Sequence, residues 1–80
     1  MLIIYFKSDG EIHQVANGYK SLKEFYGKRE KEFSLIFSAI YIENASNYLF
    51  NNFFEFQVKN DKLEAKKNSF INEAMEVLNG

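Results

Sequence analysis

Cysteine, proline and tryptophan do not occur in this sequence, and histidine and arginine occur once each. Without cysteine there is no disulfide framework, no thiolate chemistry and no cysteine-ligated zinc. A secreted domain this small would ordinarily carry disulfides, so their lack points to a reducing compartment or to a fold supported by a partner. Without proline there is no proline-rich linker, and no segment of about 20 residues repeats. One histidine, His13, is too few for a histidine-rich metal motif. One arginine, Arg29, is little for a protein that reads bases or phosphates through bidentate guanidinium contacts. No apolar run approaches the roughly 18 residues that a membrane span needs. The start, MLIIYFKSDG, lacks a basic opening and a long apolar stretch, so a signal peptide is not expected. No GxGxxG and no P-loop is present. A net charge of -1 makes the chain neither a polybasic nucleic-acid binder nor an acidic decoy.

What is abundant is aromatic: nine Phe and five Tyr, 18% of the chain. Each ring buries about 150–250 Å², which lets a small domain gain core without disulfides. Eighty residues make one domain, expected to be a single compact unit over 1–80.

Apolar LIIYFK (2–7), the turn SDG (8–10) and EIHQVA (11–16) read as a hairpin, with Gly10 free to take positive φ. Asn17-Gly18 is a second turn. SLKEFYG (21–27) carries a capping box, Ser21 with Glu24, and Gly27 ends that helix. KREKE (28–32) reads as a solvated stretch. FSLIFSAIYI (33–42) fits a strand or a helix equally by period. Its Ile, Tyr and Phe favour strand, and apolar residues on both faces suggest a central one. ENASNYLF (43–50) reads as a short helix capped by Asn44 or Ser46; the sequon Asn44-Ala45-Ser46 is read as chance. In FEFQVK (54–59), Phe54, Phe56 and Val58 alternate with polar residues as in a strand. The last twenty residues place Phe70, Ile71, Ala74, Val77 and Leu78 on one helical stripe. That helix starts at Asp61, or near Asn68 with KLEAK (62–66) as a strand. The expected class is α+β: a small, mostly antiparallel sheet of four or five strands with two or three helices on one face, including a C-terminal helix.

Chemistry is sparse. Ser8, Asp9 and His13 lie within six positions but match no nucleophile motif. Glu30 and Glu32 sit among Lys28, Arg29 and Lys31, and Glu73 and Glu76 read as a wet helix face. Catalysis, a metal and a cofactor are not expected. Lys59, Lys62, Lys66 and Lys67 follow a run of aromatics, as in single-strand binders, although Glu55, Asp61 and Glu64 dilute the charge.

YLFNNFFEF (48–56) holds five rings: Tyr48, Phe50, Phe53, Phe54 and Phe56. Positions two apart diverge on a helix and neighbours diverge on a strand, so one regular element cannot bury all five. Three rings are expected inside and the rest at least partly exposed. Exposed aromatics mark a protein-binding or self-assembly surface.

MLIIYFKSDGEIHQV (1–15) and FEFQVKNDKLEAKK (54–67) resemble the short proteins encoded by phages of AT-rich Gram-positive bacteria. Such proteins open with a strand, a polar-Asp-Gly turn and a second strand, and carry a Phe-x-Val-Lys-Asn-x-Lys-Leu hairpin near the end. The resemblance implies a mobile-element protein in the bacterial cytoplasm or the virion that docks on another protein, as an inhibitor of host defence or a host factor, or as a virion accessory subunit. The expected function is a non-catalytic interaction module using Tyr48, Phe50, Phe53, Phe54, Phe70 and Ile71, with a homo-oligomer also open. The alternative is a small single-stranded nucleic-acid binder using Lys59, Lys62, Lys66 and Lys67.

Overall fold

The computed structural model describes residues 1–66, and the expected C-terminal helix with Phe70, Ile71, Ala74, Val77 and Leu78 lies outside them. The described part is α+β. In chain order it runs β1 (Leu2–Phe6), β2 (Ile12–Ala16), α1 (Leu22–Tyr26), a 3-10 turn (Gly27–Arg29), α2 (Glu30–Phe33), β3 (Phe37–Tyr41), α3 (Asn47–Asn51), a second 3-10 turn (Phe53–Glu55), β4 (Phe56–Lys59) and β5 (Lys62–Ala65). The five strands form two antiparallel sheets rather than one: β2-β1-β3 and the hairpin β4-β5.

β1 is the centre of the molecule. Its residues alternate between two apolar layers, as a period of two requires. Leu2 and Ile4 face one cluster, where Leu22, Phe25, Tyr26, Phe33 and Phe37 close over them. Met1, Ile3 and Tyr5 face the other, with Ile12, Leu49, Val58, Phe53, Phe56 and Leu63. The first sheet is thus covered on both sides, by α1 and α2 on one and by α3 and the β4-β5 hairpin on the other. Helices do not keep to one face as expected, because a strand as apolar as LIIYF exposes surface on both sides that needs a cover.

Three expectations about single elements are corrected. Residues 33–42 are neither one strand nor one helix. Phe33 ends α2, a turn spans 34–36, and only Phe37–Tyr41 is strand. Among the described strands it lies at the edge, and β1 takes the central place. Of the two alternatives open for 61–68, helix does not start at Asp61, and the strand expected over 62–66 is found as Lys62–Ala65, paired with β4. Asn60 (φ 53) and Asp61 (φ 61) both take left-handed backbone, the conformation of a two-residue type I′ hairpin turn that Asn and Asp tolerate. Finally, the strand expected over 54–59 begins at Phe56, and Phe54 sits in the preceding 3-10 turn.

Local signals hold elsewhere. The Ser21 hydroxyl accepts from the Glu24 amide at 3.2 Å, while the Glu24 carboxylate accepts from the Lys20 amide at 2.8 Å, one residue before the expected partner. Gly27, at φ 60, stops α1. The turn after β1 is closed by the Gly10 amide donating to the Phe6 carbonyl at 2.9 Å and by the Glu11 amide donating to Asp9 Oδ1 at 2.9 Å. His13 has no partner across the β1–β2 ladder, where the register shifts between Ile4 and Tyr5, so it forms a β-bulge.

Candidate interaction surface

The segment 46–56 begins with a cap: the Leu49 amide donates to Ser46 Oγ at 3.4 Å. α3 turns once and drives Leu49 into the core. Asn52 then ends it, because its amide and its side-chain nitrogen both donate to the Tyr48 carbonyl, at 2.9 and 3.0 Å. The Glu55 amide donates to the Asn52 carbonyl at 3.0 Å, and β4 starts at the next residue. Backbone and side-chain bonds therefore fix the chain on either side of the rings.

Within that frame the five rings divide. Phe53 and Phe56 pack against the core cluster. Tyr48, Phe50 and Phe54 stay exposed, at 48%, 43% and 60%. The expected three inward rings are two. One turn of helix followed by one 3-10 turn has a single inward stripe, and Leu49 already occupies it on α3. Tyr48 meets the Phe56 ring edge-on at 6.3 Å, and Phe53 meets Phe54 at 6.5 Å, so two outer rings rest against two inner ones. The Tyr48 hydroxyl donates to a Glu55 carboxylate oxygen. That hydrogen bond, with slight desolvation and the negative charge added, holds the phenol above its usual pKa of 10.0.

The lysines are divided as well. Lys59 and Lys62 face each other across the β4-β5 turn, and Lys66 reaches Glu11 at 2.8 Å. Lys67 lies outside the described residues. Phe56 pairs with Ala65 at the opposite end of the hairpin from the Lys59–Lys62 pair, so rings and ammonium groups do not share one groove there.

His13 is exposed, and its ring stacks on Phe37 at 4.6 Å with the Phe6 ring edge-on at 5.5 Å. The Asp9 carboxylate is turned to the Glu11 amide. Ser8, Asp9 and His13 are not drawn into a hydrogen-bonded set. Among the described residues no three His, Asp or Glu side chains converge as a metal site, and no cavity is enclosed. No helix among them is long and apolar enough to cross a membrane.

Sequence reasoning missed one exposed apolar pair. Leu35 and Ile36 stand 80% and 55% exposed in the turn before β3. The run SLIFS has apolar residues at adjoining positions, and a short edge strand has inward places for only some of them.

Compared with known proteins, the chain matches no family model, and no curated protein or solved structure is significantly similar to it.

Proposed function

We propose that this chain is a non-catalytic protein-interaction module whose docking surface is built on Tyr48, Phe50 and Phe54. The observation that carries the reading is the exposure of these three rings on a segment whose backbone is already tied down by Ser46 and Asn52. Exposed aromatics held rigid lose little entropy on binding, and aromatic anchors dominate the energetics of protein interfaces. Phe53 supports the surface from below by packing into the core. Phe70 and Ile71, which the sequence adds to this surface, lie outside the described residues. The resemblance of residues 1–15 and 54–67 to short phage proteins extends the proposal: a phage- or mobile-element-encoded protein, in the bacterial cytoplasm or the virion, whose partner is a host defence protein, a host factor or a virion subunit.

The test is capture from a host lysate by the wild-type chain, Phe50→Ala and Phe54→Ala, each checked for folding by circular dichroism. Folded variants should lose the captured protein, with affinity down by more than about 1 kcal/mol for each anchor. Undiminished capture by both folded variants sinks the reading.

The second reading is single-stranded nucleic-acid binding. It draws on the cross-strand pair Lys59 and Lys62, whose like charges at an exposed turn a phosphate would relieve. It predicts binding to a short oligonucleotide that collapses between low and moderate salt. No binding at low salt removes it.

A further inference from the structure

The three-stranded sheet has two outer edges, and they differ. The β2 edge is interrupted by the bulge at His13, and the chain just before it bridges to the other sheet, Glu11 opposite Gln57. The β3 edge has neither device. Its register with β1 is regular from Phe37 to Tyr41, and the strand FSAIY contains no charge, no proline and no bulge. Natural edge strands are usually blunted by one of these, because an unblunted edge is a template for another strand.

The hydrogen-bond phase of β3 follows from its two ends. Lys7 donates to the Ile36 carbonyl at 2.9 Å, and Met1 and Ile42 exchange bonds in both directions, at 2.7 and 2.9 Å. Residues 36, 38, 40 and 42 therefore turn their backbone groups to β1. Phe37, Ala39 and Tyr41 turn theirs outward, where β3 has no neighbouring strand among the described residues.

We propose that this edge pairs with the same edge of a second copy, antiparallel about a two-fold axis through Ala39, to make one continuous six-stranded sheet. That register joins Phe37 to Tyr41 of the second copy and Ala39 to its own equivalent, and every outward N–H and C=O of those residues gains a partner. Symmetry selects the direction. A two-fold that makes the strands parallel sets each outward residue opposite its own equivalent, whereas a parallel ladder needs an outward residue opposite an inward one. Only the antiparallel pair satisfies both the two-fold and the phase of β3. The same register lays Leu35 and Ile36 alongside Ile42 and Glu43 of the second copy, which covers the exposed apolar pair in the turn. This surface is separate from Tyr48, Phe50 and Phe54, and the proposal stands apart from the docking reading.

The test uses the full chain. Sedimentation equilibrium from about 10 μM to about 1 mM is combined with amide hydrogen exchange at both limits. The expected mass is twice the 9.4 kDa of one chain at the upper limit. The amides of Phe37, Ala39 and Tyr41 should slow by roughly tenfold or more with concentration, while those of Ser38 and Ile40 do not change. Ala39→Pro removes an outward N–H and no bond to β1, and it should be a folded monomer. Where that variant fails to fold, Tyr41→Lys carries the test, since it alters an exposed side chain at the paired edge and should weaken dimerisation roughly tenfold or more. A monomer up to about 1 mM overturns the proposal. So does a dimer whose exchange at Phe37, Ala39 and Tyr41 ignores concentration, which would mean another surface pairs or the chain's own residues 67–80 cover the edge. A monomer that still captures its protein through Tyr48, Phe50 and Phe54 refutes the dimer and leaves the docking reading intact.

Discussion

Gly10 and Val58 meet backbone to backbone. The Val58 amide donates to the Gly10 carbonyl at 2.8 Å, and a Cβ placed on Gly10 would stand 2.1 Å from the Val58 carbonyl oxygen. Gly10 also has φ +79, a conformation that side-chain-bearing residues rarely adopt. The turn after β1 is thus pressed onto β4, and this contact joins the two sheets.

Gly10→Ala should therefore cost about 3 kcal/mol or more, from left-handed strain and a backbone clash together. Gly18 is the control. It has φ +89 but nothing within 4 Å of an added Cβ. Gly18→Ala should cost only about 1 kcal/mol. Urea denaturation of the two variants measures the difference, and equal costs would refute the close approach.

Ile3 and Ile4 are fully buried on opposite faces of β1. Each truncation to alanine should cost about 2–5 kcal/mol, because each opens a cavity in a separate packed layer. Leu35→Ala should move stability by less than about 0.5 kcal/mol if its side chain is solvated in the monomer. A mild Ile4→Ala would show that α1 and α2 are loosely laid on the sheet.

Tyr48 gives a pH signature. Its hydrogen bond to Glu55 favours the protonated phenol, so its pKa in the fold lies above the usual 10.0. The sign is that of a raised group. The bond contributes fully below the unfolded-state value and is lost as pH climbs through the folded one. Ultraviolet titration of wild type minus Tyr48→Phe should isolate one phenol that ionises above 10.0. A difference step at or below that pH contradicts the bond.

Lys66 and Glu11 form the ion pair that ties the end of β5 to the turn region after β1. Both side chains are partly solvated, so Glu11→Gln should cost no more than about 1 kcal/mol, and the cost should shrink with added salt. The Lys66 amide still donates to the Glu55 carbonyl, so β5 should stay paired. Loss of β5 amide protection in Glu11→Gln would mean that the ion pair, not the ladder, holds the strand.

Short-range structure is legible in this sequence, and long-range structure is not. The Ser21 cap, the Gly10 turn, Ser46 as one of the two caps open before α3, and the strand character of the last four residues of 54–59 follow from residues a few positions apart. The split into two sheets does not, because it depends on Gly10 meeting Val58. Residues 33–42 misled for a different reason. Their apolar pattern suits strand and helix alike, and the chain uses both, divided at the Ser34 turn. Asn60-Asp61 is ambiguous in sequence, because Asn and Asp favour both left-handed turns and helix N-caps. The positive φ of both residues and the pairing of Lys59 with Lys62 decide for the hairpin. On the surface, no single element buries all the rings of 48–56, and the number that stay outward depends on Leu49 taking the inward place.

The central place of β1 has a consequence for synthesis. β1 precedes the other described elements, and both of its apolar layers are completed by residues far later in the chain. β2 follows at once, but the layer over Leu2 and Ile4 needs residues up to Ala39, and the layer over Ile3 is not complete until Leu63. At about 5–20 residues per second, LIIYF is without its full cover for about 3 to 11 s. A chain that stops before β4 leaves one side of that strand wet, and a ribosome that pauses there presents the same sticky face to whatever else is in the cell.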